Sequence, residues 1–126
     1  MPRATGGEAD LALPQFLAEG DLDFIVFDYL AEITMSIMAR AKTADPERGY
    51  AIDFVSAIVA PHLTAIAESG VKLISNAGGV NPEACGRAIR QLIEDAGLPL
   101  KVAVITGDDL MPKLDEVLAA EPSEMF

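Results

Sequence analysis

The sequence predicts an α/β domain in three layers, with a small parallel sheet of about three strands flanked by helices and with the domain incomplete. Three observations carry this. Short continuous apolar runs, which read as buried strands, alternate with stretches whose apolar residues recur at helical spacing. Alternation of this kind implies a parallel sheet joined by helical crossovers. The chain has 126 residues, 51% hydrophobic and 23% charged, which suits one globular domain with a single core. Three strands are few for a parallel sheet, which is normally covered on both faces and shielded at its edges. At least one edge is therefore expected to lack its neighbour.

Taken in order, residues 1–10 (MPRATGGEAD) carry paired glycines and acids with no apolar run, and read as a disordered segment rather than a signal peptide. Residues 11–19 predict a short helix with Leu13, Phe16 and Leu17 on one side and Gly20 as its stop. Residues 22–28 (LDFIVFD) form the first buried strand. From Leu30 the period changes: Leu30, Ile33, Ile37, Met38 and Ala41 form a helical stripe, with Glu32 and Arg40 facing water. Residues 43–50 (TADPERGY) are a loop. Residues 52–69 predict a second helix striped by Val55, Ile58, Val59, Leu63 and Ile66, kinked or broken near Ala60 by Pro61. Residues 71–75 (VKLIS) are the second strand and residues 101–106 (KVAVIT) the third. Between them residues 82–96 give the clearest helix, with Cys85, Ala88, Ile89, Leu92, Ile93 and Ala96 on one stripe and Gly97 at its end. A last helix is expected from near Pro112 to Ala120, so the α/β domain spans residues 11–120. A frayed acidic tail follows over 121–126.

Composition excludes several function classes. Nine Lys and Arg against 20 Asp and Glu give a formal net charge of −11. Nucleic acid and anionic membrane surfaces both need cationic stripes, so neither is an expected partner. A small anionic ligand needs only a few local donors and stays open. No apolar run reaches the ~18 residues needed to span a bilayer, and the expected location is cytoplasmic. The lone Cys85 excludes an internal disulfide and a multi-cysteine zinc site.

Ligands of open parallel sheets bind beyond the carboxyl ends of the strands. Three loops are expected there: Asp28–Tyr29, Asn76–Asn81 and Gly107–Asp109. In the middle loop Gly78 and Gly79 permit close approach to the backbone, and Asn81 with Pro82 makes a capped helix N-terminus. Free amides and the helix dipole there favour an anion, whereas a tight, well-capped turn is the plain alternative. Asp108 and Asp109 are candidate general bases, and with Asp28 they could hold a divalent cation. A capped turn opening the last helix is favoured over a metal. Cys85 lies in a first helical turn, where a thiolate is favoured, but also on the apolar stripe; a buried structural thiol is expected. His62 has no triad partners and reads as structural. Asp28, Tyr29 and Glu32 line the crevice or cap the helix that follows them.

Four blocks resemble a known family: FDYLAEITMSIMARA (residues 27–41), GYAIDFV (49–55), GVKLISNAGGVNPEAC (70–85) and LKVAVITGDDL (100–110). In order and spacing they are similar to the N-terminal region of the acyclic terpene utilisation family. The resemblance implies a role in catabolism of acyclic terpenes such as citronellol and geraniol, whose pathway intermediates are acyl-CoA thioesters, and it names no reaction and no cofactor. It marks Asn76, Gly78, Gly79, Asn81, Gly107, Asp108 and Asp109 as signature positions, and these also lie in the loops expected at the strand ends. From that placement Asn76, Gly78, Gly79, Asn81, Gly107 and Asp28 are the expected ligand-binding residues, and Asp108 and Asp109 the candidate catalytic ones. Members are longer and begin with a strand and a glycine-rich loop, of which only PRATGGEAD would remain, so a truncated chain is expected.

Two function classes follow. One is a participant in terpenoid catabolism, acting on a CoA-linked intermediate with a phosphate-bearing ligand. The other is a non-catalytic binding or assembly module that self-associates, or meets the rest of a longer protein, to complete its sheet. An open edge and 51% hydrophobic content favour association, and the net charge of −11 opposes it.

Overall fold

The computed structural model describes residues 3–5 and 9–120. Its elements run β1 (Arg3–Thr5), α1 (Ala9–Glu19), β2 (Phe24–Asp28), α2 (Glu32–Ala44), a π-helical segment (Phe54–Val59) leading into α3 (Ala60–Ser69), β3 (Lys72–Ser75), α4 (Pro82–Ala96), a 3₁₀ turn (Met111–Lys113) and α5 (Leu114–Ala119). The sheet order is β1-β2-β3 and both pairings are parallel, in register Ala4 with Phe27 and Ile25 with Leu73. The α/β class, the parallel sheet and its helical flanks are as the sequence predicts.

Two sequence expectations about strands are corrected together. Residues 101–106 form no strand and pair with none of the strands among the described residues. Their apolar alternation serves a helix instead: Val102 and Val104 seat against Gly86 of α4, where a Cβ would collide with Val104 Cγ2, and the Arg90 guanidinium donates to the Val102 carbonyl at 3.3 Å. The third strand is Arg3–Thr5, inside the stretch expected to be disordered. Three residues next to paired glycines give no periodic signal, and only pairing with β2 makes them a strand. The expected absence of a front strand is corrected with it. The tail over 121–126 lies outside the described residues.

The core forms between one face of the sheet and the helices. Ile25 and Phe27 point into it from β2 and are essentially inaccessible, with Leu13 of α1 and Ile58 of the π-helical segment packed on them. Phe54 meets the Phe27 ring at 5.6 Å between centroids and the Tyr29 ring edge-on at 5.5 Å. Such tilted ring pairs add about 0.5–1.5 kcal/mol beyond the area they bury. The opposite side chains of the sheet, Phe24, Val26, Lys72 and Ile74, are less protected: Phe24 and Ile74 remain 40% and 48% exposed. The cover of the sheet is incomplete, as expected of an incomplete domain.

Pro61 reshapes the long helix as its chemistry requires. Proline lacks an N–H and its ring crowds the carbonyl four residues earlier. The chain responds by widening the preceding turn, and Ala60 N–H bonds Val55 O, five residues back. The stripe survives this change of winding, with Phe54, Val55, Ile58, Val59, Leu63 and Ile66 all buried. On α2 the stripe survives only in part. Met38 is buried, but Ile33 and Ile37 are 73% and 58% exposed, contrary to the sequence reading. Gly97 closes α4 with φ 64°, the left-handed geometry that glycine adopts without strain.

Candidate functional site

The C-terminal end of β2 opens into a cleft of about 610 Å³. Its floor is the β2–α2 junction, Asp28 to Ala31; one wall is α2, through Thr34, Ile37, Met38 and Ala41; the other is the loop from Arg48 to Asp53. The position matches the general rule for open parallel sheets, because the strand delivers its last residue, Asp28, to the crevice. Most of the wall is aliphatic, and Ile37 and Ile52, at 58% and 43% exposure, present apolar surface to solvent.

The 48–53 wall is held from behind by the loop that follows β3. Ala51 N–H donates to Ala77 O at 2.8 Å, and Val80 N–H donates to Gly49 O at 3.0 Å. Lys42 reaches from α2 to bond Val80 O at 2.8 Å. Asn81 ties the knot: its Nδ2 donates to Pro46 O (2.8 Å) and Arg48 O (2.7 Å), while its Oδ1 accepts the Ala84 N–H of α4. Asn81 is the one buried polar side chain among the described residues. A carboxamide suits the place because it offers two donors to two carbonyls and keeps an acceptor for the helix end.

A second tie crosses the floor. Asp28 Oδ1 accepts from Asn76 Nδ2 at 2.9 Å and from Leu30 N–H at 3.3 Å, and Asn76 Oδ1 accepts Tyr29 N–H at 2.8 Å. Ser75 Oγ donates to Phe27 O and accepts Ala77 N–H. The structure thus brings Asp28 and Asn76 together at the strand ends. Gly79 and Asn81 face α2 and the 45–51 loop, and Gly78 packs on Pro82, so none of the three lines the cleft. A Cβ on Gly79, which has φ +56°, would strike Met38 Sδ and Gly49 O. Gly107, Asp108 and Asp109 do not line the cleft and lie on exposed chain. Asp109 Oδ1 accepts Met111 N–H at 2.9 Å, the capped-turn arrangement ahead of the last helix.

The remaining sequence candidates also find places. Cys85 is buried, and loss of hydration pushes its thiol from the ordinary 9.0 up to about 11. Burial, then the nearby Cys85 and Glu47, push the Tyr50 hydroxyl up, against the pull of Arg87. His62 Nδ1 lies 2.9 Å from Ile58 O; a carbonyl only accepts, so the bonded tautomer carries its proton on Nδ1. Glu32 is exposed in the first turn of α2, whose entry is fixed by Ala31 N–H donating to Thr34 Oγ1 at 3.3 Å. No group of His, Cys, Asp and Glu fit for a metal exists among the described residues. None of their helices is long and apolar enough to cross a membrane.

Sequence reasoning found Asp28 and Tyr29 but missed the 48–53 wall as part of a site. The available signal was the loop Arg48-Gly49-Tyr50, which concentrates a cation, a glycine and an aromatic between two helices. Among known proteins, the model of the family described as acyclic terpene utilisation family protein AtuA matches residues 4–125. No curated protein and no solved structure matches the chain.

Two tests follow from this geometry. Replacing Asn81 with Ala strips donors from two carbonyls and removes a helix cap, so urea unfolding should show a loss of about 2–4 kcal/mol; a change under 1 kcal/mol would contradict the knot described above. For Cys85, a raised thiol pKa means that the folded state holds its proton more tightly than the unfolded chain. Its contribution is complete below pH 9.0 and is lost as pH rises toward about 11. Native thiol labelling at pH 8 should be slow, and Cys85→Ala should flatten the alkaline decline in stability.

Proposed function

The chain belongs to the acyclic terpene utilisation family, and from that premise we propose that its cleft beside β2 receives the branched apolar skeleton of a terpenoid intermediate, carried as an acyl-CoA thioester, in a cytoplasmic step of acyclic terpenoid breakdown. The family name supports a role in acyclic terpene utilisation. The observation that supports the finer reading is the cleft itself: an aliphatic wall of Ile37, Met38 and Ile52 set against a strand end that presents Asp28. Apolar surface left in water costs about 25 cal/mol per Å², so these exposed isoleucines favour an aliphatic guest. Within this reading Asn76, Gly78, Gly79 and Asn81 shape the ligand site from behind. Asp108 and Asp109, which with Gly107 lie on exposed chain outside the cleft lining, are proposed as catalytic carboxylates acting on the part of the intermediate that extends beyond the cleft.

The test is growth on an acyclic terpenoid as sole carbon source, in the native host lacking the gene. Wild-type chain should restore growth, and Ile37→Glu, which places a charge on the aliphatic wall, should not. Restoration by Ile37→Glu would remove the cleft from the function. Growth that survives Asp108→Asn combined with Asp109→Asn would remove the two carboxylates from catalysis.

A second reading, a module that needs another chain to complete its cover, is favoured by the exposed Phe24 and Ile74 on the sheet. Sedimentation should then show concentration-dependent association, and Ile74→Lys should weaken it. A monomer at all concentrations would dispose of this reading.

A further inference from the structure

The polar end of the cleft says what its guest carries, on the reading above that the cleft receives an aliphatic skeleton. On α2 the exposed Ile33 and Ile37 and the cleft-lining Ala41 fall at successive fourth positions, which puts them on one face over about 12 Å of helix. With Ile52 opposite, this makes a linear apolar track. Three ionisable side chains with formal charge line the cleft, and their circumstances differ. Asp28 already accepts from the Asn76 amide and the Leu30 N–H. Asp53 stands at the start of the π-helical segment, where the helix dipole favours a carboxylate although its side chain makes no capping bond. Arg48 is the exception.

Arg48 has a rigid backbone and an uncommitted head. Its N–H donates to Asp45 O at 2.9 Å, and its carbonyl accepts Asn81 Nδ2 at 2.7 Å, so the loop cannot carry the side chain elsewhere. Among the described residues the guanidinium pairs with no carboxylate; the ion pair they contain joins Arg87 to Glu47 at 3.0 Å. Arg48 lines the cleft beside the aliphatic residues, and a guanidinium offers a planar fork of donors suited to a carboxylate or a phosphate.

We infer that the cleft binds an aliphatic chain ending in an anionic group, with the chain along the Ile37–Ile52 track and the anion held by Arg48. A free carboxylate and the phosphates of a thioester carrier share this chemistry, since both present oxygen pairs to the same fork. A neutral alcohol would leave the fork unused.

The experiment is calorimetric titration of the whole 126-residue chain with decanoate, decanoyl-CoA and decanol. Decanoate or decanoyl-CoA should bind about 10- to 100-fold more tightly than decanol, the range expected for a charge-assisted contact. Arg48→Ala should erase that preference while leaving decanol binding unchanged, and Arg48→Lys should keep part of it; circular dichroism checks that both variants are folded. A preference confined to decanoyl-CoA and lost in Arg48→Ala assigns the anion to phosphate, and a preference shared with decanoate assigns it to carboxylate. Equal binding of acid and alcohol, or a preference that survives Arg48→Ala, overturns the inference while the cleft stands. Failure of all three to bind, with Ile37→Glu indistinguishable from wild type, overturns the cleft and the inference together.

Discussion

The Asn81 carboxamide is the contact on which the rest of the site depends. Buried between the 45–51 loop and the start of α4, it joins two carbonyls of one to an amide of the other. Each bond contributes only about 1 kcal/mol net, but breaking them would leave two part-buried carbonyls and the start of α4 without their partner, at a cost of about 1 kcal/mol or more apiece. The loop is therefore held in one conformation, and Arg48, Tyr50 and Asp53 come with it. Through Ala51 and Val80 the same loop is stitched to the residues after β3. The cleft wall is thus fixed by the neighbouring strand-to-helix connection, while the ligand-facing side remains open.

Much of the helical architecture was legible because it rests on periodicity. The stripe of α4 and its Asn81, Pro82 and Gly97 signals are local, so the helix boundaries Pro82–Ala96 match the sequence reading. Pro61 announced a distortion, and what periodicity could not supply was its form: a π-helical widening that keeps Ile58 and Leu63 on the core side. The strands were less legible. KVAVIT has the composition of a strand, but its alternate valines pack on α4 at Gly86, so the same pattern serves a different neighbour. Arg3–Thr5 has almost no local signature and becomes a strand through pairing with Val26, Phe27 and Asp28. Of the site, Asp28 and Asn76 were found because strand ends are predictable, and their mutual bond confirms that those ends are adjacent. The 48–53 wall was missed because its role depends on contacts with residues about 30 positions away.

The exposed isoleucines of α2 pose a different question from the exposed sheet residues. Ile33 and Ile37 were assigned to the core by their spacing, which is right for a helix buried along its length. Here α2 is anchored near its C-terminal half instead, by Met38 under Gly79 and by Lys42 on Val80 O. Its first turns leave their apolar stripe uncovered, with Ile37 lining the cleft and Ile33 exposed beyond it. Phe24 and Ile74 are exposed for another reason: they lie on the sheet face whose cover is incomplete. In the first case the apolar surface borders a concavity lined with polar groups, and in the second it is a flat face with Lys72 over the Phe24 ring at 5.2 Å. Concave apolar surface with a few fixed polar groups suits a small molecule, and flat surface suits another layer of protein.

The loop between Asn76 and Asn81 shows how a motif that stands out in the sequence can commit most of its amides to the protein itself. Paired glycines running into a capped helix favour an anion when the amides are free. Here Ala77, Gly79, Val80, Asn81 and Ala84 all donate to protein acceptors: Ser75 Oγ, Asn76 O, Gly49 O, Gly78 O and Asn81 Oδ1. The glycines serve proximity. Gly79 lets Met38 and the Gly49 carbonyl approach closer than any side chain would allow, and at Gly78 a Cβ would meet Pro82 at 2.8 Å. The consequence is a strand-to-helix connection packed tightly enough to act as the back wall for another loop. An anion arriving at this end of the sheet would therefore meet few free amides in that connection, and the donor left uncommitted beside the cleft is Arg48, whose backbone the Asn81 carboxamide holds in place.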